Sequence, residues 1–114
     1  MTIDVREEAA VTVLDLEGKL TSGDGDALLR ETINRLLAER RNWILLNLAK
    51  VPYMDSAGIG ELVSSARKLS AAGGAVKLLN PLKKVYDVLQ IVKLSSVFEV
   101  YHEESAAIES FKPR

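Results

Sequence analysis

Residues 53–61 read YMDSAGIGE, and this stretch is the most informative part of the chain. Before it, WILLNL at residues 43–48 is an apolar run with the length of a buried strand. After it, apolar side chains recur with helical spacing at Ile59, Leu62, Val63, Ala66 and Leu69. The sequence therefore predicts a helix from Ala57 to Ala72, with Asp55 and Ser56 at the junction between the strand and the helix.

The residue types at this junction suggest more than a helix cap. Asp55 and Ser56 are both good caps, so the simplest interpretation is that one of them only accepts hydrogen bonds from the first helical amides. Gly58 and Gly60 are harder to explain, because glycine costs roughly 1 kcal/mol relative to alanine inside a helix. We expect the two glycines to keep the surface around Ser56 clear of side chains, so that the backbone of a partner protein can approach it.

Strand and helix patterns alternate along the rest of the chain. Strands are predicted at residues 3–6, 11–16, 43–48, 75–79 and 97–101. Helices are predicted at residues 25–40 and 57–72, from Asn80-Pro81 onward, and around Ile108 and Phe111. Ser22 or Asp24 is the expected cap of the first helix. The first two strands should pair as an antiparallel hairpin, and the strand at 43–48 should be covered on both faces.

This alternation predicts the architecture. Strands that alternate with helices favour an α/β fold with a mostly parallel central sheet, here preceded by an antiparallel hairpin and flanked by four helices. The length of 114 residues and the 47% hydrophobic content suit one domain, which we expect to span residues 1–114.

Composition narrows the classes of function. The chain has no cysteine, which excludes disulfides, thiolate metal sites and thiol nucleophiles and fits a reducing, cytoplasmic compartment. Its 15 basic and 16 acidic residues give a net charge of −1, so we expect no direct binding to nucleic acid. The beginning of the sequence does not resemble an export signal, and no apolar run approaches the ~20 residues that cross a bilayer. We therefore expect a soluble protein without membrane insertion.

Catalysis and metal binding are alternatives that lack the necessary residues. Ser56 has no evident base, because the single histidine, His102, follows the last predicted strand beside two glutamates. The segment Ser22-Gly23-Asp24-Gly25-Asp26 has carboxylates two residues apart, as in cation-binding loops. It lacks the later glutamate of a calcium loop and the Gly-Lys-Ser/Thr of a phosphate loop. The sequence therefore predicts a flexible capped loop, no catalytic residue, no metal and no cofactor.

The junction and its surroundings resemble the signature of a known family. Residues 54–60, MDSAGIG, follow a hydrophobic strand and a Val-Pro-Tyr step, as in the STAS family of anti-sigma factor antagonists and their relatives in sulphate transporters. The resemblance covers most of the chain. It includes residues 17–20 (EGKL), residues 72–74 (AGG), and Asn80-Pro81 followed by Val85 and Leu89. The chain departs from the pattern at Thr21, where many antagonists carry an acidic residue.

This resemblance implies a STAS-type fold and a switch at Ser56. In the antagonists of the family, the serine after the aspartate is phosphorylated by a cognate anti-sigma factor that is itself a kinase, so the resemblance gives that role to Ser56. It implies a bacterial, non-enzymatic protein that binds the anti-sigma factor when Ser56 is unphosphorylated and so frees a sigma factor. The expected partner-binding residues are Thr21, Ser22, Gly23, Asp24, Asp55, Ser56, Ala57, Gly58 and Gly60. A STAS scaffold subunit of a stress-sensing or lipid-transport complex is the alternative, and weak homo-oligomerisation stays open.

Overall fold

The computed structural model describes residues 1–113, with only the backbone of Ser95, and contains one five-stranded sheet. The strands lie in the order β1-β2-β3-β4-β5; β1 and β2 are antiparallel, and the following neighbours are parallel. Between residues 1 and 113 the elements are β1 (Thr2–Glu8), β2 (Val11–Glu17), α1 (Gly25–Ala38), β3 (Trp43–Lys50), α2 (Ser56–Ala71), β4 (Ala75–Leu79), α3 (Lys83–Ile91), a 3-10 turn (Leu94–Ser96), β5 (Val100–Tyr101) and α4 (Glu104–Ser110). The predicted α/β architecture with its hairpin, parallel strands and four α-helices is confirmed.

The sheet is covered on both faces. Side chains of alternate strand residues point to opposite sides, and this divides the apolar core into two clusters. One cluster joins Leu14 of β2 and Leu46 of β3 to buried residues of α1, α2 and α3. The other joins Val13 of β2 and Leu45 of β3 to the α4 region. The prediction that β3 is buried on both faces is confirmed.

Charged residues fix both ends of the short helix α4. Arg6 of β1 donates to Glu104 at the start of α4 and, at 2.7 Å, to Asp15 of β2. These hydrogen bonds hold the pKa of both Asp15 and Glu104 below the ordinary carboxyl value. At the other end, the ammonium group of Lys77 lies 2.9 Å from the carbonyl oxygen of Ser110. Helix α4 is therefore held by charged groups as well as by apolar packing.

The start of the last strand and the start of α3 are the predicted boundaries that differ in a way that the tertiary structure explains. The last strand is only Val100–Tyr101 rather than residues 97–101, because a 3-10 turn precedes it and Phe98 turns into the core with 4% of its surface exposed. Helix α3 begins at Lys83 instead of Pro81. Its start is delayed because the amide of Asn80 donates to the carbonyl oxygen of Tyr101 at 2.8 Å, so Asn80 still belongs to the sheet edge.

The parallel strands place their carboxyl ends on one edge of the sheet. The loops that leave β2 and β3 meet there, and α1 and α2 begin from these loops. Over residues 1–113, no helix combines the length and the apolar character needed to cross a bilayer. The junction of Asp55 and Ser56, between β3 and α2, lies at this edge of the sheet.

Candidate functional site

Backbone contacts join the loop after β2 to the loop after β3. Leu20 and Met54 form an isolated parallel bridge. The amide of Leu20 donates to the carbonyl oxygen of Tyr53 at 3.0 Å, and the amide of Asp55 donates to the carbonyl oxygen of Leu20 at 3.4 Å. The two loops therefore form one continuous surface at the carboxyl edge of the sheet.

Asp55 caps α2 and ties the two loops together. Its Oδ1 accepts a hydrogen bond of 2.9 Å from the amide of Gly58, and its Oδ2 accepts one of 2.9 Å from the amide of Ser22. Both bonds favour the charged form and lower the pKa of the Asp55 carboxyl, with the Ser22 amide as the larger cause. The carboxylate therefore holds the Thr21–Asp24 loop against the start of α2.

Ser56 is left with an exposed side chain. It is the first residue of α2, and Asp55 beside it supplies the cap, so the hydroxyl of Ser56 is not needed for capping. The position is also next to the amides at the helix start, where the helix dipole favours negative charge. Ser56 therefore offers an accessible hydroxyl at a place where an added phosphate is tolerated by its own helix.

Gly58 does not belong to the open surface, and the expectation that it keeps the surface around Ser56 clear is wrong. It is buried, and a Cβ atom added to it would lie 2.0 Å from the carbonyl oxygen of Leu20. That carbonyl is already bonded to the amide of Asp55, so it has little freedom to move. Position 58 requires glycine because the backbone of α2 contacts the backbone of the loop after β2 there. The sequence pattern alone does not reveal this contact.

Gly60 fits the expected open surface. It is exposed, and a Cβ atom added there would have no neighbour within 4 Å. Residues four apart share one side of a helix, so Gly60 lies next to Ser56 along α2. Ala57, between Ser56 and Gly58, is half-buried. The surface around Ser56 is therefore bare on the side of Gly60 and closed on the side of Gly58.

The loop after β2 places the remaining predicted residues beside Asp55. Thr21 is half-buried, whereas Ser22, Gly23 and Asp24 are exposed. Asp24 occupies the cap position of α1 but makes no capping hydrogen bond with its side chain. Asp26 orders the loop instead, because its Oδ1 accepts a hydrogen bond of 2.9 Å from the amide of Gly23.

The alternative of a metal loop gains no support from the geometry. Within the part of the chain that the structure describes, no group of three or more histidine, cysteine, aspartate or glutamate side chains is placed to hold a metal ion. His102 is the single histidine that could have served as a base. It is exposed and lies between β5 and α4, and α4 packs on the opposite face of the sheet from α2. The site consists of a hydroxyl, a capping carboxylate and bare backbone.

Sequence reasoning missed two exposed apolar side chains on this edge. Tyr53, after β3, is 54% exposed, and Leu82, after β4, is 41% exposed. The available signal was a large apolar residue three positions after the end of β3 and of β4, where polar turn residues are the usual choice. Both residues extend the edge beyond the predicted set.

Asp55→Ala is expected to lower the stability of the fold and shift the urea midpoint downward, because the amides of Ser22 and Gly58 both lose their acceptor. Urea denaturation measures this loss. Asp87→Ala is the matched control, since it removes only an exposed pair with Lys83 and should leave the urea midpoint almost unchanged. Equal midpoints for the two variants would contradict the bridging role of Asp55.

Comparisons with known proteins identify relatives of this chain and of its fold. The family model for the STAS domain matches residues 2–107. A Thermotoga neapolitana protein described as a candidate anti-sigma factor antagonist is 34% identical over 73 residues, which are 64% of this chain and 65% of that relative. The crystal structure of a candidate anti-sigma factor antagonist from Thermotoga maritima superposes with a TM-score of 0.90 at 24% identity, covering 97% of this chain and 95% of that one. The phosphorylated Bacillus cell fate determinant SpoIIAA superposes with a TM-score of 0.76 at 24% identity, covering 97% and 100%.

Proposed function

The chain belongs to the STAS-domain family, and from that membership we propose that it is an anti-sigma factor antagonist. In this proposal the whole chain is one non-catalytic binding module of the bacterial cytoplasm. With Ser56 unphosphorylated, it holds an anti-sigma factor and thereby frees a sigma factor. The observation that carries the proposal is the exposed hydroxyl of Ser56 at the first position of α2, beside a carboxylate that already serves as the cap.

Phosphorylation of Ser56 is the switch. The partner is an anti-sigma factor with serine kinase activity, which supplies the base that this site lacks. The Ser56 Oγ attacks the γ-phosphorus of ATP, a new O–P bond forms, and the bond from that phosphorus to the β,γ-bridging oxygen breaks. The hydroxyl proton passes to the base of the kinase, and ADP leaves. The product carries about −1.5 to −2 charges where a neutral hydroxyl stood.

The added charge acts on the partner more than on the fold. Amides and the dipole at the start of α2 favour the phosphate, whereas the Asp55 carboxylate repels it, so the effects within the chain oppose each other. A partner packed closely over Ser56 and Gly60 has to bury the same charge. Release of the partner follows from that cost.

Mass spectrometry of the chain after incubation with the anti-sigma factor and ATP tests this proposal. We expect the phosphate on Ser56 and its disappearance in the variant Ser56→Ala. Ser64 and Ser65 lie further along the same helix and serve as internal controls. Phosphate on Ser22, Ser64 or Ser65 with Ser56 unmodified would reject the assignment. Binding of a different protein without any phosphorylation would favour a scaffold subunit of a stress-sensing or lipid-transport complex.

A further inference from the structure

An apolar groove begins two residues before Ser56. It has a volume of about 230 Å³ and separates the loop after β3 from the first turns of α3. Its lining residues are Pro52, Tyr53, Met54, Lys84, Val85 and Val88. Lys84 is the single charged residue among these six, so the groove is an apolar slot with one cation on its wall.

The size of the groove indicates what it can hold. Pockets for small molecules usually measure about 300–1,000 Å³ and enclose most of the ligand. A slot of 230 Å³ is below that range and suits one large apolar side chain of a partner protein. Tyr53, which stays 54% exposed, can then cover the inserted side chain with its ring.

The lysines at the start of α3 indicate which charge a partner should carry next to the groove. The ammonium group of Lys83 is 2.8 Å from the carboxylate of Asp87 on the next turn. Lys84 is exposed and lines the groove itself. A carboxylate on the partner, next to the apolar side chain that enters the groove, would complement Lys84.

The groove lies next to Ser56 along the chain. Met54 lines the groove and is also bridged to Leu20, and Asp55 and Ser56 follow it directly along the chain. One protein that covers Ser56 would therefore also reach Tyr53. Exposed tyrosines of this kind are enriched among the residues that dominate binding energy.

We propose that this groove receives one apolar side chain of the anti-sigma factor, with a neighbouring carboxylate of the same partner on Lys84. Tyr53 is then a specificity-determining residue for the partner. The inference rests on the proposed function, because the occupant is the protein that covers Ser56. It adds a second contact that does not involve phosphorylation.

Calorimetric titration with the anti-sigma factor that phosphorylates Ser56, in the presence of ADP, tests the groove. Tyr53→Ala is expected to weaken binding by tenfold or more, whereas Tyr53→Phe keeps the ring and should stay within about twofold of the wild type. Ile91→Ala is the matched control, because Ile91 is also an exposed apolar residue, 79% accessible, at the far end of α3. Lys84→Glu is expected to weaken binding by at least fivefold, more strongly at low salt.

The outcomes separate the groove from the proposed function. If both Tyr53→Ala and Lys84→Glu bind the anti-sigma factor with wild-type affinity, the proposed binding in the groove is rejected and the proposed function is unaffected. Failure of the unmodified chain to bind the kinase would overturn both. Thermal unfolding of each variant checks the fold, and Lys84→Glu, a change on the exposed surface of α3, decides the result if Tyr53→Ala is unstable.

Discussion

Gly58→Ala is expected to lower the free energy of unfolding by roughly 3 kcal/mol, one of the largest effects of a single methyl group in this chain. The new Cβ would lie 2.0 Å from the carbonyl oxygen of Leu20, well inside the distance that two such atoms tolerate. That oxygen accepts from the amide of Asp55, so the loop cannot move away without losing the contact between the two loops. Urea denaturation followed by circular dichroism measures the loss.

Gly60→Ala is the matched control on the same helix. An added Cβ has no neighbour within 4 Å there, and alanine has a higher helix propensity than glycine. The free energy of unfolding of this variant should therefore rise by about 0.5–1 kcal/mol. The opposite signs of the two substitutions, two residues apart, are what the geometry predicts. Equal stability of both variants would show that α2 does not press against Leu20 as described.

Phosphorylation of Ser56 is expected to weaken binding of the anti-sigma factor by tenfold or more, that is, by about 1.4 kcal/mol or above. The physical reason is the cost of bringing a phosphate into a closely packed interface over the bare backbone at Gly60. The fold should hardly change, because the helix dipole and the repulsion from Asp55 act in opposite directions.

Binding calorimetry and thermal unfolding on one preparation measure the affinity for the anti-sigma factor and the stability of the fold separately. Ser56→Ala is the control, since it removes the hydroxyl without adding charge and should unfold at nearly the wild-type temperature. A large loss of secondary structure in the phosphorylated chain would replace local exclusion by a conformational switch. Unchanged affinity with an intact fold would remove Ser56 from the interface.

Hydrophobic periodicity was sufficient to predict the sheet and most helices. Strand β4 has the predicted limits, Ala75 to Leu79, because two glycines end the preceding helix and Asn80 with Pro81 follows. The start of α2 differs from the prediction by one residue, since Asp55 rather than Ser56 supplies the cap. Such features are local, and a sequence contains the information for them.

Contacts between distant segments could not be predicted in the same way. The start of α3 depends on the hydrogen bond between Asn80 and Tyr101, which lie far apart in the sequence. The role of Gly58 depends on the path of the backbone at Leu20. Lys77 lies inside an apolar strand and is buried, because its ammonium group donates to the carbonyl oxygen of Ser110 and pairs with the carboxylate of Glu99. Each of these facts requires the tertiary structure.

Release of a sigma factor tests the central claim most directly. A complex of the sigma factor with the anti-sigma factor is titrated with this chain in the presence of ADP, and free sigma factor is measured by fluorescence anisotropy of a label on it. The unmodified chain is expected to release the sigma factor at concentrations at least tenfold lower than the Ser56-phosphorylated chain. Equal release by both forms, or no release by the unmodified chain, would contradict the account.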